Sequence, residues 1–354
     1  MTDGRLLRQL IKTGARAGGE DFRRVAEDVI REQREHKHHL LANDLERILY
    51  GEAGLAGRPG TAHAEIPKDR ERGLPLLEVR APARDLGDIV LSPDNKGVLD
   101  DVIREQARSD LLASWGLRPI QRLLFCGPPG CGKTTAAEVL ATELGRELAV
   151  VRFDAVVSSF LGETASNLRR VFDFLSSGTY VALFDEFDAI GKEREDATEH
   201  GELKRVVSAF LQMMDAFQGR SLLVAASNHE RLLDRALWRR FDEIVLFAPP
   251  TDDALVKLIE MKVRGVRHDL VLDDPALLRR FSTMSHADVE RVIVRAIKGM
   301  VLNGREFLTR DQLEEALSRE GRRRSDLAFE IPVSAKRGPS GGAKRSSSSR
   351  PPKG

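Results

Sequence analysis

Residues 127–134 read Gly127-Pro128-Pro129-Gly130-Cys131-Gly132-Lys133-Thr134, and this stretch decides how the chain is read, because it fits G-x-x-x-x-G-K-[ST]. An apolar run precedes it at 122–126 and a helical pattern follows to about 146, the strand, turn and helix context that the pattern requires. Glycines in such a loop let backbone N–H groups close on phosphate oxygens, and the helix N-terminus adds positive potential. In that frame Lys133 reaches the β- and γ-phosphates and the Thr134 hydroxyl ligates Mg²⁺. Pro128, Pro129, Gly130, Cys131, Gly132 and Thr135 are expected to complete the cradle.

Outward from the loop, short apolar runs at 123–126, 148–153, 180–184, 222–226 and 243–247 alternate with helical patterns. That rhythm predicts an α/β fold, a parallel sheet wrapped by helices, over 86–250. The run at 180–184 ends in Asp185-Glu186, and ligands of parallel sheets gather beyond the carboxyl ends of strands. Asp185 is expected to hold Mg²⁺ and Glu186 to orient and polarise an attacking water, since one carboxylate cannot serve both roles. After Pro249-Pro250 only helical patterns remain, so 251–331 is expected as an all-helical subdomain. Residues 1–50 read as a small helical module. Glycines and prolines mark 51–85 as a linker, and 332–354 reads as a disordered basic tail.

Composition narrows the function classes. The 354 residues are 41% hydrophobic, enough for a buried core, and Lys+Arg total 56 against Asp+Glu 55. Lys336, Arg337, Lys344, Arg345, Arg350 and Lys353 lie in the tail with no acid beside them, so the body is net acidic and a nucleic-acid partner is not expected. No apolar run approaches the roughly 18 residues of a membrane helix, and Arg5, Arg8 and Lys12 interrupt the leucines of the N-terminus, so a cytoplasmic protein is expected. The only two cysteines, Cys126 and Cys131, sit at the phosphate loop, which excludes a disulfide framework and fits a reducing compartment.

The phosphate loop, Asp185-Glu186-Phe187-Asp188, a later strand ending in Ser227-Asn228-His229, and Leu233-Asp234-Arg235-Ala236-Leu237-Trp238-Arg239-Arg240-Phe241-Asp242 together resemble the AAA+ ATPases. Within them the likeness is to the AAA clade of proteasomal ATPases, katanin- and spastin-like proteins and bacterial SpoVK-like proteins. The resemblance implies a P-loop NTPase αβα sandwich followed by a helical lid, ATP and Mg²⁺ as ligands, and a homo-oligomeric ring, expected as a hexamer. It implies that Asn228 is a sensor that helps to position the water, and that Arg239 or Arg240 reaches the neighbouring subunit's nucleotide. The family usually has Pro-Gly between these arginines and this chain has neither, so both stay candidates. By the same resemblance Phe160, Leu161 and Gly162 belong to a pore loop that grips polypeptide, and Ile89, His286 and Ala287 lie against the adenine. His286 stands where the family has glycine.

The expected output is ATP-dependent remodelling of a protein substrate chosen directly or through an adaptor. With neither H-E-x-x-H nor G-x-S-x-G in the chain, degradation would need a separate protease. Two other readings share the motor: a nucleotide-gated scaffold controlling a partner enzyme or protease, and a DNA-acting machine.

Overall fold

A computed structural model describes residues 20–35, 45, 49, 65–70, 72–156, 161–187, 200–228 and 238–329. Six strands, β1 (Leu77–Arg80), β2 (Arg122–Cys126), β3 (Glu147–Val151), β4 (Tyr180–Phe184), β5 (Leu222–Ser227) and β6 (Glu243–Leu246), form one sheet in the order β1-β3-β4-β5-β2-β6. All neighbours are parallel except β1, which runs antiparallel to β3 with Leu77 opposite Val151. β4 and β5 are buried along their whole length, as expected of strands covered on both faces.

The two faces separate by the period of two. Leu124, Cys126, Ala182, Phe184, Leu223 and Ala225 point to one core, packed with Phe172 of α6 (Leu161–Ser177) and Phe210 and Met214 of α7 (His200–Ala216). Leu123, Phe125, Val181, Leu183, Val224 and Ala226 point to the other, against α2 (Pro93–Ala107) and α4 (Lys133–Glu143). α4 is buried nearly all round, and its alanines Ala136, Ala137 and Ala141 let it lie close on the sheet. α3 (Ser109–Ser114) and the short α5 (Phe153–Val156) complete this unit.

The C-terminal helices α8 (Asp252–Val263), α9 (Pro275–Phe281), α10 (His286–Leu302) and α11 (Arg310–Phe329) enclose a third core around Ile259, Phe281, Val292 and Leu313. Near the N-terminus, α1 (Glu20–Glu35) contributes Ala26 and Ile30 to a small cluster with Leu45 and Leu49.

Three expectations change. The stretch 51–85 was expected as linker, but it supplies β1, whose Leu77 is fully buried beside Leu76. Pro75 and Pro82 flank the strand, and an edge position tolerates both. The run at 148–153 was expected to continue to 153. Instead β3 ends at Val151, because Phe153 turns into α5 to pack on Phe184 and Phe187, with ring centroids 6.2 and 6.4 Å away. Leu161 and Gly162, expected in a loop, begin α6. Phe160 lies outside the described residues, as do most of residues 1–64 and the tail.

Candidate nucleotide site

The sheet order puts β5 between β2 and β4, so the carboxyl ends of three adjacent strands deliver the phosphate loop, Asn228 and Asp185-Glu186 to one crevice. Within the loop Gly127, Gly130 and Gly132 have φ of 147°, 75° and 95°, a region open to glycine. Gly127 also lies so close to β6 that an added Cβ would stand 1.9 Å from the Phe247 carbonyl oxygen. Gly132 caps α4 and, as a glycine, has no side chain to bond the amides of that end. A phosphate fits such an end both by its charge and by its lone pairs.

Lys133 is 5% exposed. Its Nζ donates to the carbonyl oxygens of Gly127 and Pro128 at 2.7 and 3.0 Å and to Asn228 Oδ1 at 2.8 Å. The Thr134 hydroxyl donates to Asp185 Oδ2 at 2.8 Å. A hydroxyl and a carboxylate in contact are the donor set for Mg²⁺, which takes few protein oxygens and completes its shell with waters and substrate phosphates. Glu186 is exposed, and its backbone N–H donates to Asp185 Oδ1 at 2.9 Å. Its φ of 52° makes it the one non-glycine with positive φ among the described residues. Cys131 is buried in the loop, and burial pushes its thiol above the usual range.

The lid closes on the loop through the start of α10. The Ala287 N–H donates to the Gly130 carbonyl oxygen at 3.0 Å, and a Cβ at Gly130 would meet Ser285 Oγ at 2.7 Å and Ala287 Cβ at 3.1 Å. Ser285 caps α10 and exchanges hydrogen bonds with Asp288 in a capping box. His286 is half-buried, its Nδ1 has no hydrogen-bond partner among the described residues, and burial lowers its pKa. Ile89 follows a 3₁₀ turn (Leu86–Asp88), and its Cδ1 would lie 3.7 Å from a Cβ at Gly132. Ile89, Ala287 and the loop glycines therefore share one neighbourhood. Pro128 and Pro129 are exposed at the loop's turn, and Thr135 is half-buried in the first turn of α4.

Arg239 and Arg240 are elsewhere. Asp242 binds the start of β2, its Oδ2 accepting from the N–H groups of Gln121 and Arg122, both at 2.9 Å. The phosphate loop leaves the other end of the same strand, about 13 Å away at 3.3 Å per residue. Arg240 forms an ion pair with Asp215 of α7, which Arg122 also approaches at 3.6 Å. Arg239 is exposed and has no hydrogen-bond or ionic partner among the described residues. Asp215 carried no signal in the sequence, since a lone acid at the end of a helix belongs to no spacing pattern. No described helix is long and apolar enough to cross a membrane.

Residues 123–249 match the family model "ATPase family associated with various cellular activities (AAA)". The chain is 38% identical over 336 residues to an AAA family ATPase, y4kL, of Sinorhizobium fredii, covering 94% of this chain and 100% of that one. It is 28% identical over 253 residues to the ATP-dependent zinc metalloprotease FtsH 2 of Symbiobacterium thermophilum, covering 69% of this chain and 43% of the relative. To a proteasome-activating nucleotidase of Methanoregula boonei it is 28% identical over 219 residues, 60% of this chain and 50% of that one. With the loop, the acid pair and the sheet order already in place, these likenesses identify the chain as a member of the AAA family of ATPases.

Proposed function

We propose that this ATPase is a motor that remodels or unfolds protein substrates, built as a ring, hexameric by our reading, with each nucleotide shared between neighbouring subunits. The observation that carries the catalytic half is the meeting of Lys133, Thr134, Asp185 and Asn228 by hydrogen bonds of 2.8 Å at the ends of three adjacent strands. Lys133 and the loop amides would bind the β- and γ-phosphates. Thr134 and Asp185 would hold Mg²⁺, which when bound neutralises charge on the phosphates. Glu186 accepts a proton from water as its oxygen bonds to the γ-phosphorus and the bond to the β–γ bridging oxygen breaks. Asn228 holds that water in line. Ile89, His286 and Ala287 would contact the adenine.

The remaining charge is met from the neighbouring subunit. Arg239 is the better candidate, because Arg240 is engaged by Asp215 and neither lies at its own chain's loop. Relatives named proteasome-activating nucleotidase and zinc metalloprotease favour polypeptide as the substrate, delivered directly or by an adaptor, and a separate protease as a partner. Phe160, with Leu161 and Gly162 behind it, is proposed to grip that polypeptide.

A substrate trap tests the reading. Glu186→Gln is expected to retain ATP while turnover falls about 10²- to 10⁴-fold. Tagged trap protein would be recovered from its own cells with ATP, against a Lys133→Ala control, and its companions identified by mass spectrometry. Proteins held only by the trap, and lost when Phe160→Ala is added, support the motor. Equal recovery with and without Phe160 points to the nucleotide-gated scaffold, and nucleic acid in place of protein to the DNA-acting machine.

A further inference from the structure

Glu320 of α11 is a charged group in the wrong solvent: it is 1% exposed. Taking a carboxylate out of water is costly unless it is well paired, and Glu320 is met by three guanidinium groups. Arg291 Nε lies 3.1 Å and Arg323 3.2 Å from its Oε1, and Arg295 lies 3.5 Å from Oε2. Arg291 does more than neutralise it. Its second nitrogen binds Asp288 Oδ1, so one side chain of α10 bridges two acids. The other oxygen of Asp288 accepts from the Ser285 backbone N–H at 3.1 Å and from the Ser285 hydroxyl at 2.9 Å. Ser285 and Ala287 are the residues set against Gly130, the latter through the 3.0 Å hydrogen bond to its carbonyl oxygen. Polar contacts therefore run from the last helix of the lid to Ser285, and two residues of backbone carry them on to the Ala287–Gly130 bond at the phosphate loop.

We propose that Arg291 and Glu320 are positioning residues for the nucleotide, holding the start of α10 against the phosphate loop, an inference that rests on the nucleotide reading of 127–134. Each step from Glu320 to Ser285 is a directional bond to a planar group. A guanidinium fixed at one edge by Glu320 sets the carboxylate of Asp288 at its other edge, and that carboxylate sets Ser285. When Glu320 loses its charge, Arg291 is free to leave Asp288, and the tight approach of Ser285 and Ala287 to Gly130 loses its brace. The neighbouring pair Arg280–Glu314, at 2.7 Å, also ties α11 to another lid helix but reaches α9 and not Asp288, which makes it the control.

The experiment measures binding of an ADP labelled on the ribose by fluorescence titration, with the full-length chain and a thermal melt of each variant. Arg291→Lys keeps the charge but cannot span both acids, and it is expected to weaken ADP about 3- to 10-fold. Glu320→Gln is expected to weaken it similarly, and the double variant to be no weaker than the worse single, as for two links of one path. Glu314→Gln is expected to lower the melting temperature without moving the affinity. The proposal is overturned by unchanged affinity in folded Arg291→Lys, by losses that add in the double variant, or by an equal loss in Glu314→Gln. Lys133→Ala separates the two levels. Its failure to bind alongside an unaltered Arg291→Lys removes the path alone, whereas full binding by Lys133→Ala removes the nucleotide reading and the path with it.

Discussion

Glu186 holds φ at 52° between Asp185, the first residue past β4, and Phe187, which is 1% exposed and fixed in an aromatic cluster. A left-handed conformation in a residue with a Cβ costs on the order of 1 kcal/mol or more, and the buried Phe184 and Phe187 on either side of the acid pair hold it there. The result is an exposed carboxylate beside Asp185 on a backbone that cannot relax into the strand. His286 shows the same tension between burial and charge at the lid. Its pKa lies below the ordinary 6.5 because burial disfavours the imidazolium. The sign follows: below about 6.5 the unfolded chain takes up a proton that the folded lid does not, so this residue's contribution is intact at higher pH and is lost as pH falls. Melting temperature should therefore drop more steeply between about pH 7.5 and 5.5 in the native chain than in His286→Asn. Parallel curves for the two proteins would show that His286 is not the group responsible.

At the scale of elements, two glycines make opposite forecasts. Gly127→Ala must place a Cβ against the Phe247 carbonyl at φ 147°, and should cost about 2–4 kcal/mol in chemical denaturation by displacing β6 from the loop. Gly97 lies exposed inside α2 with nothing within 4 Å of an added Cβ, so Gly97→Ala should stabilise by about 0.5–1 kcal/mol. A loss at both sites would mean that α2 is held by something other than helix propensity. The same contrast separates what was legible in the sequence from what was not. The sheet's central strands and the loop could be read because each is an unbroken apolar run or a fixed pattern, and Asp185 because ligands gather at the ends of parallel strands. β1 could not, because four residues between prolines at a sheet edge carry too few buried side chains to set a period. Nor could the bond from Lys133 to Asn228, which exists only because β5 is inserted between β2 and β4. The pairing of Arg240 with Asp215 is of this kind too, a contact made by topology between residues that share no local spacing.

The whole molecule separates its own catalytic parts. Ile89 and Leu91 pack into the sheet's core while Val90 packs into the lid's, so one short segment beside the loop joins the two units. Arg239, by contrast, is exposed and lies three residues before Asp242, which binds the start of β2, a strand's length from the loop that its own chain supplies. A single copy brings Lys133 to Asn228 and Thr134 to Asp185 beside Glu186, while its Arg240 is held by Asp215. On the proposed reading an arginine supplied by a second copy would be worth about 10³- to 10⁵-fold in rate, and such a contact would be head-to-tail, the kind that closes into rings. Arg239→Ala should therefore abolish turnover while leaving ADP affinity intact, and Arg240→Ala should act chiefly by loosening the turn at Asp215. Glu186→Gln should be equally inactive for the opposite reason, since it keeps the arginine and lacks the base. Mixed in equal amounts, the two dead proteins should regain activity, because about a quarter of randomly formed interfaces would pair a native Glu186 with a native Arg239. Phosphate release that stays at background across mixing ratios and protein concentrations would mean that the arginine acts within its own chain or not at all. Recovery with Arg240→Ala but not with Arg239→Ala would exchange the roles of the two residues.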